Sequence, residues 1–170
     1  TYAYGTTRID GGGGADSLRA SSTGSGLNPT FAGRVDYIDG ALTFIGGEGA
    51  DLIIVDDSGD LGVANIAETN TGTFFGDTVT GLDIKGSITF TAGDDVEIRL
   101  GGGADTFYIP GVNAGQHVLV KAGNGFDTVY VGTTMGNEDS GSLDGIAGIV
   151  QIDGNSPEAK DRLFINDQDT

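Results

Sequence analysis

The sequence has no cysteine, no tryptophan and only three prolines. Without cysteine there are no disulfides and no thiolate metal site. Three prolines, with no strict Gly-X-Y period, exclude a collagen-like chain. No run of about 18 or more apolar residues is present, so nothing reads as a membrane-spanning helix. Bases are scarce as well: 8 Lys and Arg stand against 25 Asp and Glu, a formal net charge of −17. Nucleic acid and anionic membrane surfaces would repel such a chain, and neither is an expected partner.

The signatures of common catalytic sites are also missing. There is no Ser-His-Asp order, no His-Glu-x-x-His and no phosphate-binding glycine loop with its lysine. The single histidine, His117, lies in Gln116-His117-Val118 at the entry to a strand and reads as structural. General acid–base work needs converging titratable groups, and one histidine without a partner motif does not supply them. The expectation is a protein that is not an enzyme.

What the chain does have is glycine, 32 of 170 residues, alongside a modest 37% apolar content. Glycine at this density, distributed along the chain, implies many tight turns at positive φ between short strands. The length suits one domain, residues 1–170. Thr1 is not preceded by a basic-then-apolar leader, which reads as a mature product or an excerpt from a longer polypeptide. The acid excess has two readings: a solvated surface suited to high salt, or carboxylates that serve a divalent cation.

Internal similarity favours the second reading. Gly11-Gly12-Gly13-Gly14-Ala15-Asp16 recurs as Gly46-Gly47-Glu48-Gly49-Ala50-Asp51, as Leu100-Gly101-Gly102-Gly103-Ala104-Asp105 and as Ala122-Gly123-Asn124-Gly125-Phe126-Asp127. A degenerate fifth copy ends at Asp161 in Lys160-Asp161-Arg162-Leu163. A longer period overlies these motifs. Arg8 to Asp16 aligns with Leu119 to Asp127 at an offset of 127 − 16 = 111, and Asp51 to Val55 aligns with Asp161 to Ile165 at 161 − 51 = 110. The chain thus holds about one and a half copies of a unit of roughly 110 residues, as an excerpt from a longer array would.

Short alternating segments flank the motifs. Val96, Ile98 and Leu100 alternate with Glu97 and Arg99; Phe107 and Ile109 alternate with Thr106 and Tyr108; Val118 and Val120, then Val129 and Val131, repeat the pattern. Period-two alternation marks half-buried strands. Alike turns between alike strands predict an all-β parallel β-helix, a β-solenoid whose Gly/Asp-rich turns stack at one corner. An antiparallel sandwich of hairpins is the structural rival. Loops are expected at Ala20 to Ala32, at Leu61 to Gly72 and around Met135 to Ser142. Uncapped ends would leave strand edges open to neighbouring repeats or to another copy.

The motif resembles the Gly-Gly-x-Gly-x-Asp-x-apolar-x repeat of repeats-in-toxin (RTX) proteins, which are secreted and bind calcium. Gly11 to Arg19 and Gly46 to Ile54 fit every defined position, while Leu100 to Tyr108 and Ala122 to Tyr130 lack only the first glycine. The resemblance implies that glycine carbonyls at Gly12, Gly14, Gly47, Gly49, Gly101, Gly103, Gly123 and Gly125, with the carboxylates of Asp16, Asp51, Asp105 and Asp127, hold Ca2+. Calcium takes about six to eight oxygen ligands in flexible geometry, which such turns can provide. RTX motifs run in tandem, whereas these aspartates lie 35, 54 and 22 residues apart, a spacing closer to the long repeats of large bacterial surface proteins. Two further acids are candidate ligands: Asp57, within Asp56-Asp57-Ser58-Gly59-Asp60, and Asp95, beside Asp94. For each aspartate the alternative is a turn in which the carboxylate caps backbone N–H groups.

Together these features predict a structural repeat segment of a secreted, calcium-stabilised cell-surface or extracellular filament or adhesin. Its expected partners are further copies of itself. A carbohydrate-binding or carbohydrate-modifying module is the alternative, with Tyr108 and Tyr130 as candidate platforms for a surface carbohydrate.

Overall fold

The computed structural model describes residues 5–21, 33–60, 69–91, 95–154 and 160–168. The expected loops at Ala20 to Ala32 and Leu61 to Gly72 lie mostly outside these residues, as does Asp94. Thirteen strands of four to seven residues form, and the described residues include no helix. They are β1 (Thr7–Asp10), β2 (Ser17–Ala20), β3 (Leu42–Ile45), β4 (Leu52–Asp56), β5 (Thr71–Gly76), β6 (Thr78–Gly81) and β7 (Ile84–Phe90). The remaining six are β8 (Asp95–Arg99), β9 (Thr106–Val112), β10 (His117–Lys121), β11 (Thr128–Val131), β12 (Ile149–Asp153) and β13 (Arg162–Ile165).

The all-β expectation holds, but the parallel β-helix does not form. The strands make two open sheets, an eight-stranded one in the order β1-β3-β7-β6-β5-β9-β11-β13 and a five-stranded one in the order β12-β10-β8-β4-β2. The smaller sheet is wholly parallel; the larger is mixed, because β6 runs antiparallel to both β5 and β7. Local turn chemistry explains this. Leu82 and Asp83 take φ values of 52° and 59° between β6 and β7, the paired positive φ of a two-residue hairpin turn, and Gly76 at φ 63° turns β5 toward β6. Burial of Leu82 at 0% exposure offsets the strain of its left-handed backbone.

Outside this meander the chain passes repeatedly from one sheet to the other. Connections from the larger sheet to the smaller run along one side of the molecule, the first side. Those returning run along the second side. The core lies between the sheets and is built from rows of like residues. One row on the smaller sheet is Leu18–Ile53–Val96–Val118–Val150, and the next is Ala20–Val55–Ile98–Val120–Ile152. Facing them on the larger sheet are Phe107 beside Val129, Ile109 beside Val131, and Phe44 beside Phe90. Alternation produces these rows directly: residues of one parity face inward, and in-register parallel pairing stacks them.

The turns do not stack at one corner. The motifs ending at Asp16 and Asp51 connect the larger sheet to the smaller and lie on the first side; those ending at Asp105, Asp127 and Asp161 lie on the second. The long period accounts for the switch. Offsets of 110 and 111 map β1, β2 and β4 onto β10, β11 and β13, and each strand of a matched pair lies in the opposite sheet. The chain crosses seven times between β1 and β10, and an odd number of crossings exchanges the sheets.

Candidate functional site

The glycine-rich turns stack in pairs despite their irregular spacing. Gly13 bridges Glu48 on the first side, and Gly102 bridges Asn124 on the second. Contact between the paired turns is backbone on backbone. A Cβ at Gly47 would lie 1.6 Å from the Gly12 carbonyl oxygen, and one at Gly125 would lie 1.4 Å from that of Gly103. Both residues also take positive φ, 95° and 137°, so glycine is required there twice over. The Gly14 carbonyl meets Gly49, and the Gly101 carbonyl meets Gly123, in the same way. Gly12, Gly14, Gly47, Gly49, Gly123 and Gly125 share the positive-φ conformation, whereas Gly101 and Gly103 do not, so the third motif follows a different backbone path.

Asp51, Asp105, Asp127 and Asp161 each use one carboxylate oxygen to tie their turn to the preceding layer. The Asp16 N–H donates to Asp51 Oδ1 at 2.8 Å, Asn70 N–H to Asp105 Oδ1 at 2.8 Å, Asp105 N–H to Asp127 Oδ1 at 2.9 Å, and Asp127 N–H to Asp161 Oδ1 at 3.1 Å. This is the backbone-capping role, carried out between layers of the stack rather than within one turn. In Asp51, Asp105 and Asp127 it uses only half of the carboxylate. Oδ2 of Asp16, Asp51, Asp105 and Asp127 is buried with no hydrogen-bond partner. Exposure of Asp51, Asp105 and Asp127 is 2%, 1% and 0%. A buried, unpartnered carboxylate oxygen carries a large desolvation cost unless a cation meets it.

The titration of Asp105 and Asp127 reflects that cost. Burial, assisted by Asp105 and Asp161, pushes Asp127 up to about 7. Burial and the nearby Asp60 raise Asp105. On the same side Asp57 is pushed up to about 7 by burial and by the charges of Asp60 and Asp36.

Asp57 belongs to a second cluster. Carboxylate oxygens of Asp36, Asp57 and Asp60 lie within 4.8 Å of one another, and Asp57 and Asp60 are fully buried. Arg34 pairs with Asp60 at 2.6 Å and with Asp36 at 3.1 Å. Val35 N–H donates to Asp57 Oδ1 at 3.1 Å. The Asn70 amide donates to Asp57 Oδ2 at 3.2 Å and to Asp60 Oδ2 at 3.0 Å, while its backbone N–H serves Asp105. Asn70 therefore joins the cluster to the motif column. The sequence pointed to Asp57 through an acid run that also holds Asp60; Asp36 and Asn70 come from separate segments and share no motif with it. Neighbouring Asp56 has a different role. Burial acts to raise it, but Ser58 and the guanidinium groups of Arg19 and Arg99 hold it below the usual carboxylate range.

Not every expected residue joins these sites. Asp95 opens β8 with an exposed side chain, its N–H donating to the Asp51 carbonyl at 3.0 Å, and it is outside the one cluster of three acids found among the described residues. Tyr108 stacks on Tyr130, and Tyr130 in turn on Phe164, each pair with ring centroids 5.0 Å apart. Tyr108 is only 5% exposed, with its hydroxyl donating to Glu138 at 2.6 Å. Its ring is packing between layers rather than an open platform.

The oxygen-rich sites suit a hard cation. Among the described residues the one group of three acids close enough to share an ion is Asp36, Asp57 and Asp60, an all-oxygen donor set without thiolate or imidazole. Searches against protein-family models, curated proteins and solved structures found no match to this chain.

Proposed function

We propose that this chain is a structural repeat segment of a secreted cell-surface or extracellular protein, and that calcium bound along its two glycine-rich sides stabilises it. The observation that carries the reading is the set of buried, unpartnered Oδ2 atoms on Asp51, Asp105 and Asp127, set among glycine turns whose backbone packs on backbone. A bound cation offsets the desolvation of these oxygens and part of the self-repulsion of a chain with a net charge of −17. The motif resemblance to RTX repeats supports calcium as the ion and the exterior of the cell as its source.

The outermost strands support an assembling role. Leu163, Phe164 and Ile165 on β13 are 50%, 40% and 61% exposed, and Ile149 on β12 is 64% exposed. The offset of 110 equates β13 with β4, a strand paired on both sides, by β2 and β8. The free edge of β13 therefore matches a position that another repeat strand fills, and a further copy of the repeat is its natural partner. The decisive test is isothermal titration of the metal-free chain with calcium chloride, repeated on an Asp51→Asn, Asp127→Asn double variant. Saturable binding in the parent, weakened at least tenfold in the variant, is the expected result. Absence of binding at millimolar calcium would leave the aspartates with their backbone-capping role alone.

A further inference from the structure

The outer face of the eight-stranded sheet presents one large apolar side chain to solvent in a built setting. Phe75 on β5 is 62% exposed, while Phe74 before it is fully buried. Its neighbours on this face are threonines: Thr73 on the same strand, with Thr80 and Thr78 paired opposite Thr73 and Phe75 on β6. The pairing of β5 with β9 shifts beside it, from Thr73 opposite Tyr108 to Phe75 opposite Gly111, so β9 holds one extra residue. Bulges of this kind re-aim side chains, and Pro110, which has no N–H for a ladder, is at home there. The Phe75 ring lies over bare backbone. A Cβ at Gly111 would be 2.8 Å from the ring and 3.3 Å from the Gly145 carbonyl oxygen.

Two open grooves of about 710 and 410 Å³ meet at this ring and share Phe75 and Gly145 in their walls. One offers Asp77, Thr78 and Asn113; the other offers Asn137, Ser142 and Asp144. Neither is lined by lysine or arginine. We infer that this double groove binds a neutral oligosaccharide chain, with Phe75 as the platform for one sugar ring. A pyranose has an apolar face of C–H groups and a rim of hydroxyls. It is matched by an exposed aromatic ring flanked by carboxylates, amides and hydroxyls, which both donate and accept hydrogen bonds. The two carboxylates and the absence of bases oppose sulfated and uronic-acid chains. The site lies on a sheet face, apart from the aspartate columns, and does not depend on calcium being their ligand.

The test is an array of immobilised neutral, sulfated and uronic-acid oligosaccharides probed with the full chain, followed by titration of the best binder in solution. Binding confined to neutral glycans is expected, lost at least tenfold in Phe75→Ala and kept in Phe75→Trp. Circular dichroism melts of both variants, within a degree or two of the parent, separate loss of the platform from loss of the fold. Silence across the neutral glycans, preference for the anionic ones, or full binding by Phe75→Ala would each overturn the assignment.

Discussion

The two sides of the molecule use the same motif to different effect. On the first side, the turns ending at Asp16 and Asp51 are regular, with positive φ at Gly12 and Gly14 and at Gly47 and Gly49. Asp16 there is only half-buried. On the second side Asp105 and Asp127 are sealed from solvent, and Asp36, Asp57 and Asp60 add three more acids beside them. The same Gly-x-Asp pattern thus yields a partly solvated turn at the outer end of a stack and a concentrated buried negative charge in its middle. Position in the stack, not the motif, sets the electrostatics.

The largest expected effects test the backbone stacking common to both sides. Gly47→Ala and Gly125→Ala each drive a Cβ into a carbonyl oxygen at a positive-φ site and should cost at least about 3 kcal/mol. Gly12, also at positive φ but with nothing within 4 Å of its Cβ position, should lose only about 1 kcal/mol as Gly12→Ala. Urea denaturation of the three variants measures this, and equal losses would show that the turns do not stack as described.

Next comes pH, which probes the second side, where Asp57 and Asp127 lie. Asp57 and Asp127 have folded-state values of about 7, above the unfolded value near ~3.9. Their protonated forms favour the folded state, so the associated stability is full below about pH 4 and is lost as pH rises through 7. In chelator, the melting temperature should therefore fall by roughly 5–10 °C between pH 5 and 8. Asp127→Asn should flatten that fall. Asp56, held low by Ser58 and two arginines, has the opposite dependence, but its contribution is lost only in stronger acid. Under the proposed calcium binding to the ionised forms, millimolar calcium should reverse the trend and raise the melting temperature at pH 8 by about 10 °C if one site is filled at a hundred times its dissociation constant.

The smallest of these effects concerns Asn70. Its amide donates to both Asp57 and Asp60, so Asn70→Asp should replace two hydrogen bonds with repulsion, costing about 1–3 kcal/mol in chelator. Added calcium should recover much of that loss if the cluster binds the ion. A loss that calcium leaves untouched would confine the metal to the glycine turns.

Much of the strand pattern was legible in the residues. Val96-Glu97-Ile98-Arg99-Leu100 announced its inward and outward faces, and the structure buries the three apolar residues and pairs Glu97 with Arg99 at 2.5 Å. The β5–β6–β7 meander was not legible, since one of its turns uses Leu82 and Asp83 rather than the glycines that usually mark paired positive φ. Tyr108 looked like an outward aromatic because alternation tells direction and not cover. The loop carrying Glu138 closes over it.

By itself the sequence determined the all-β class, the inward rows and the places of the four glycine-aspartate turns, because strand alternation and the turn preference of glycine are local properties written residue by residue. The tertiary structure alone decided which side each turn occupies, which carboxylates lose their water, and that Asp36, Asp57, Asp60 and Asn70 meet. Those outcomes depend on how many times the chain crosses between sheets. Seven crossings per repeat, an odd number, carry the second copy of each turn to the opposite side and to different neighbours. Asp127 is thus buried where Asp16 is half-buried, and Asp161 is half-buried where Asp51 is buried.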